Sequence, residues 1–314
     1  MTSTVELLAL LALAPLGVGL LLLLRWMREP IVQARLLAQE TDPAQENSFE
    51  NPNDTDPRTR LRAFGSLGDE QAACSLSVVM PAFNEEDRIL VTLQDTVAYL
   101  DERRAKDPSF SYEIIVVDDC SQDATADVNH GKGGAIRKGV LRARGALILF
   151  ADADNATEIR DFAKLEAALK SEARAGVVVC GSRAHLEEEA IAKRNPLRNL
   201  LMHGFHLIVS TLCVRNVRDT QCGFKLFDRA AARVVFPPMH IERWAFDVEL
   251  LYIAAARKLS VKEVAVQWRE IPGSKLSVVS ATITMLREII LIRLCYTLGV
   301  WRLDDGGFRL AKKN

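Results

Sequence analysis

Apolar residues follow three distinct patterns along this 314-residue chain. From Leu7 to Leu24 they run without interruption, LLALLALAPLGVGLLLLL, a stretch that as a helix approaches the roughly 30 Å hydrocarbon layer of a bilayer. Between Gln39 and Ala73 they thin out among Asp, Glu, Asn, Pro and Thr with no period, a composition that buries too little surface to offset the entropy of ordering. From Ser75 onward they gather in short β-branched runs, Ser75–Met80, Glu113–Val117, Ala146–Ala151 and Ala175–Cys180, mostly separated by helix-like stretches such as Asp87–Leu100. Such alternation predicts an α/β fold, a parallel sheet covered by helices. Further on, Val261–Trp268 alternates like a strand, and Leu276–Trp301 is long and apolar but carries Arg287 and Arg293. Charges inside a spanning helix are costly, so this last segment is expected as interfacial helices whose arginines reach the headgroups.

These patterns divide the chain into a membrane anchor (1–28), a polar linker (29–73), a catalytic domain (74–275) and membrane-associated C-terminal helices with a tail (276–314). No basic side chain precedes the first apolar run, whereas Arg25, Arg28 and Arg35 follow it, which directs the C-terminal bulk to the cytosol. A cleavable signal would begin with a basic region and end in small residues; this run ends Leu24-Arg25-Trp26, so an uncleaved transmembrane helix is expected. The N-x-T sequons at Asn53 and Asn155 would then face the cytosol and are read as chance matches. Six scattered cysteines without a C-x-x-C pair suit a reducing compartment. With 40 basic and 41 acidic side chains, bulk charge gives no reason to expect a nucleic-acid partner.

In parallel sheets ligands sit beyond the carboxyl ends of the strands, and there this sequence turns polar. Asp152-Ala153-Asp154 follows one apolar run, and two carboxylates one residue apart can converge on a hard cation, Mg²⁺ or Mn²⁺, that also binds diphosphate oxygens. Asp118-Asp119 ends another run, where a carboxylate can accept from a base or ribose or cap the next helix. Gly131-Lys132-Gly133-Gly134 offers glycines that would let backbone approach a phosphate and a lysine to neutralise it. Ala126 and Gly133 exclude a Walker A loop, and Ile136 excludes a dinucleotide fingerprint. His203 and His206 are read as helix-packing histidines.

Taken in order, SVVMPAFNEEDRI from Ser77, IIVVDDCSQDAT, NHGKGGAIRKGV, LFADADNAT, CGSR, DTQCGFKLF and RWAFDVELLY resemble the family 2 glycosyltransferases of the Rossmann-like GT-A fold, specifically the dolichyl-phosphate β-glucosyltransferases. The resemblance runs from about Ser75 to Trp301. It implies transfer of glucose from UDP-glucose to dolichyl phosphate with inversion, at the cytosolic face of the endoplasmic reticulum membrane. Pro81, Phe83, Glu85 and Ala153 would line the donor pocket, with Asp119 on the uracil or ribose side and Lys132 nearby. Asp152 and Asp154 would hold the metal, Asp152 and Asp247 would be the catalytic carboxylates, and Arg183 and Arg198, or Arg194 in its place, would take the acceptor phosphate. Asp247 has a plainer reading as an exposed helix start. Related mannosyltransferases share the spacing, so the donor is not fixed by it.

One departure stands out. The family places a helix and a strand between the D-D-x-S and G-K-G-G blocks, whereas only Cys120–His130 lies between Asp119 and Gly131 here. A crossover takes at least about a dozen residues, so one unit is expected to be missing. A non-catalytic, membrane-bound binding protein is the alternative that follows.

Overall fold

The computed structural model describes residues 25, 28, 48–50, 61–63, 65–69, 71–119, 131–186, 204, 206–271 and 278–304. The expected anchor Leu7–Leu24, the short segment Cys120–His130, and Arg194, Arg198 and His203 lie outside these residues. The chain divides into two compact units, Met1–Pro43 and Ala44–Asn314. In the first, Arg25 and Arg28 are helical and exposed.

The second unit opens with a small antiparallel pair, β1 (Ser48–Glu50) and β2 (Leu61–Ala63). Its following residues dock on the domain: Leu67 is fully buried, and its N–H donates to Leu141 O at 2.9 Å. Arg229 reaches Ser66 O at 2.7 Å and Asp69 O at 3.2 Å. The segment read as polar linker therefore contains structure, because two arginines of the domain, Arg229 and Arg233, satisfy its carbonyls.

Six strands form the central sheet: β3 (Cys74–Ala82), β4 (Tyr112–Asp118), β5 (Gly145–Ala151), β6 (Val177–Ser182), β7 (Phe224–Asp228) and β8 (Ser260–Ala265), in the order β4-β3-β5-β7-β6-β8. All pairings are parallel except those of β7, which runs antiparallel to β5 and β6. The expected all-parallel sheet is thus a mixed one, with β7 missed. Its sequence, FKLFD, places a lysine mid-strand, which a pattern of apolar runs passes over.

On one face α1 (Ile89–Lys106) and α3 (Phe162–Lys170) close a core in which Leu76, Val78 and Met80 of β3 meet Leu100 and Phe162. The other face carries α2 (Gly131–Leu141), α4 (Arg229–Val235) and α5 (Phe246–Ala256), where Phe150, Phe227, Phe236 and Phe246 pack ring against ring. The alternate β3 residues Ser77 and Val79 are buried on this side, so β3 is covered on both faces, as a central parallel strand must be. β4 instead sits at the sheet edge with Val116 41% exposed. α6 (Val278–Thr297) completes the unit. Among the described residues no helix is long and apolar enough to cross a membrane.

Candidate functional site

Parallel strands align their carboxyl ends, so the residues after β3, β4 and β5 meet at one edge of the sheet. Antiparallel β7 begins at that same edge, with Ala151 opposite Phe224. There a cavity of about 580 Å³ opens between the loops. Asn84 and Asn155, both at positive φ, turn the chain just beyond β3 and β5, a conformation asparagine tolerates better than most residues.

Of the residues expected at a donor site, Pro81, Phe83, Glu85, Asp119, Lys132, Asp152, Ala153 and Asp154 all line this cavity. Phe83 leaves 47% of its surface exposed, an apolar ring held at the mouth. Glu85 pairs with Arg88, its Oε1 accepting from Nη2 at 2.8 Å. Burial raises the Glu85 pKa against the pull of Arg88, and the Asp154 and Asp152 carboxylates push the same way as burial. Asp119 is buried, with its N–H on Ala82 O at 2.8 Å. Ala153 O accepts from Thr92 Oγ1 at 2.8 Å, fixing the turn between the two aspartates, and Asp154 Oδ1 accepts the Ala156 N–H at 3.0 Å.

Lys132 Nζ lies 2.6 Å from Asp152 Oδ1. Burial works against the ammonium, but Asp152, then Asp247 and Asp154, outweigh it and hold its pKa above the ordinary lysine value. The glycines around Lys132 have a packing task as well. A Cβ on Gly133 would stand 2.6 Å from Phe246 Cβ and 2.8 Å from Ile241 O; one on Gly131, at φ +74°, would stand 2.7 Å from Glu242 O. They let the first turn of α2 press against residues 241–246, and Gly134 N–H seals the contact on Glu242 O at 2.9 Å. Gly131 and Lys132 line the cavity, so this packed turn is itself part of the site wall.

Sequence reasoning placed Gly223 only within the motif DTQCGFKLF, without a role. A Cβ there would overlap the Asp152 carboxylate, and Gly223 O accepts the Asp152 N–H at 3.1 Å. Only a residue without a side chain lets Asp152 lie against the start of β7. Arg88, Arg243, Trp244, Trp268 and Glu270 also line the cavity. Arg243-Trp244 was legible as part of a motif, whereas Trp268 and Glu270 follow β8 and carried no local signal.

Two expected residues lie elsewhere. Asp247 does not line the cavity and is not an exposed helix start; it is 3% exposed and bonded to Lys225 Nζ at 2.6 Å. Lys225, fully buried, also donates to Cys222 O at 2.6 Å. Asp247 therefore stands behind the wall, next to Lys132 in electrostatic terms, because the antiparallel β7 brings a buried ammonium to it. Arg183 also stays off the cavity lining: its Nε and Nη2 grip Asp219 at 2.8 and 2.9 Å, and its guanidinium carbon lies 5.5 Å from the centre of the Trp268 ring. Burial disfavours the guanidinium, but the Asp219 bonds outweigh it and raise its pKa.

The all-oxygen donors Asp152 and Asp154, with Glu85 beside them, suit a hard divalent cation. Among the described residues no group of three or more His, Cys, Asp or Glu side chains forms a cage for one. Mg²⁺ commonly takes one or two carboxylates and completes its shell from substrate phosphates and water, which is what such a pair can serve.

Comparison with known proteins agrees with this geometry. The family model described as "Glycosyl transferase family 2" matches residues 77–128 and 126–236, two stretches that meet inside the shortened segment. A dolichyl-phosphate β-glucosyltransferase of Dictyostelium discoideum is 48% identical over 252 residues, covering 73% of this chain and 77% of the relative. The Homo sapiens protein of that name is 48% identical over 253 residues, 73% of this chain and 78% of its own. The Saccharomyces cerevisiae one is 38% identical over 275, 77% and 81%. Glucosyl-3-phosphoglycerate synthase from Mycobacterium tuberculosis, solved with uridine diphosphate, shares the fold at 18% identity and a TM-score of 0.51, over 72% of this chain and 81% of that one. With its site at the carboxyl ends of a mixed sheet and its sequence shared over three quarters of these relatives, the chain belongs to glycosyl transferase family 2, among the dolichyl-phosphate β-glucosyltransferases.

Proposed function

We propose that the protein transfers glucose from UDP-glucose to dolichyl phosphate with inversion. The observation that carries this is the convergence of Glu85, Asp152, Asp154 and Lys132, with Phe83 and Asp119, on one cavity. Phe83 offers a face to the uracil and Asp119 an acceptor to base or ribose, while Trp244 and Trp268 wall the space left for the sugar. Asp152 and Asp154 would hold Mg²⁺ or Mn²⁺, which supplies charge neutralisation for the diphosphate when bound. Lys132 orients Asp152 from one side and Gly223 makes room for it from the other.

In the reaction an oxygen of the lipid phosphate attacks the anomeric carbon, the bond from that carbon to the diphosphate breaks, and UDP leaves with the electron pair. A phosphate monoester with a second pKa near 6 is already largely anionic at neutral pH, so it needs little help from a base. That fits the placement of Asp247 behind the wall. The protein's contribution is positioning and a favourable field for the leaving group. For the acceptor phosphate we assign Arg243, which lines the cavity; Arg183 is held by Asp219 off the lining, and Arg198 and Arg194 lie outside the described residues.

The exposed apolar side chains of Ile283, Leu298 and Val300, in α6 and just after it, together with Leu207, support an interfacial seat on the bilayer. Together with the Leu7–Leu24 anchor they are consistent with the endoplasmic reticulum membrane and a catalytic domain in the cytosol. The test is a product assay with the full chain in detergent, Mn²⁺ and dolichyl phosphate, offered UDP-glucose or GDP-mannose. Glucosylated lipid is expected from the first donor alone. Mannosylated lipid would reassign the donor, and no lipid product from either would leave a binding protein.

A further inference from the structure

The cavity wall at Arg243-Trp244 is suspended from three helices. From α2, Gly134 donates to Glu242 O at 2.9 Å. From α5, the fully buried Glu249 takes the N–H groups of His240 and Ile241 at 2.9 and 2.6 Å, and Tyr296 of α6 donates its hydroxyl to the same carboxylate at 2.9 Å. The third support is a charged one on α6: Glu288, 5% exposed, accepts the Ala245 N–H through Oε2 at 2.8 Å. Ala245 follows Trp244 directly and caps α5.

We propose that Glu288 is a positioning residue for donor binding: carried on the C-terminal helix, its carboxylate fixes the Arg243-Trp244 segment against the cavity by holding Ala245. The proposal rests on the reading that the cavity takes UDP-glucose. The charged groups facing Glu288 are Arg243 from the wall, Arg287 from its own helix and Glu249 from α5. Burial pushes its pKa to about 7, against the Ala245 N–H and the two arginines, with Glu249 adding to the rise. Both charge states are accordingly populated near neutrality. A carboxylate accepts the amide more strongly than a neutral acid does, so the hold on the wall is firm above this pH and loosens below it.

The test is calorimetric titration of UDP-glucose, whose diphosphate diester does not itself titrate in this range, into the full chain with Mg²⁺ on either side of pH 7. Wild-type Kd should rise about fivefold on acidification, the scale set by exchanging a charge-assisted bond for a neutral one. Glu288→Gln, which keeps an acceptor for Ala245 but no charge, should show the weaker Kd at every pH. Glu288→Asp should restore an inflection, which separates loss of charge from loss of fold. A Gln variant with the wild-type profile, or a Kd that falls on acidification, overturns the proposal. No UDP-glucose binding by the wild type overturns the functional reading, and this inference with it.

Discussion

Asp152 shows how much of the chemistry depends on what surrounds a side chain. Its carboxylate is held by the Lys132 ammonium at 2.6 Å and by the bare backbone of Gly223, and each neighbour comes from a different element. The aspartates were legible because the pair follows an apolar strand within an ordered series of family motifs, whereas an isolated D-x-D arises often by chance. The glycine was not, because its requirement exists only once β7 is laid antiparallel beside β5. Gly223→Ala should therefore displace Asp152 by close to an ångström and lower turnover about a hundredfold, the usual result of a misplacement of that size. Steady-state rates alongside a melting curve check this: a large loss of rate with the domain still folded is expected, and full activity would show that Asp152 does not need its present place.

At the scale of elements, the strands flanked by helices were readable from periodicity, and β3, β4, β5 and β6 lie within a few residues of where it put them. β7 was harder, as was the burial of the first turn of α5, because Lys225 and Asp247 look like surface residues and are in fact a buried pair. Removing one partner of such a pair leaves a charge stranded, at a cost of about 3–5 kcal/mol, whereas replacing both with apolar groups of similar size is often neutral. Asp247→Leu alone should thus destabilise the domain strongly, and Lys225→Met added to it should recover most of the loss in a denaturant titration. If the double variant is as unstable as the single, the pair is not the unit drawn here. The glycines of α2 teach the same lesson: their composition drew attention to a phosphate, while the packing they permit against Phe246 and Ile241, distant in sequence, was not visible.

For the whole molecule, the sheet ends at β4, and β3, β5 and β7 build most of the edge on which the cavity opens. Glu288 and Tyr296 tie α6 to the residues behind the cavity wall, so the helix we propose to rest on lipid also supports that wall. We propose that Asp154 and its neighbours take the donor diphosphate through a cation, and the melting temperature of the full chain with UDP-glucose reads this out. At a hundred times Kd, ligand binding stabilises by about 2.7 kcal/mol, or roughly 5–10 °C for a domain of this size. A rise of that order with Mn²⁺, abolished by chelation and by Asp154→Ala, is the predicted result. An equal rise in the Asp154→Ala variant, or one indifferent to the metal, would contradict the account.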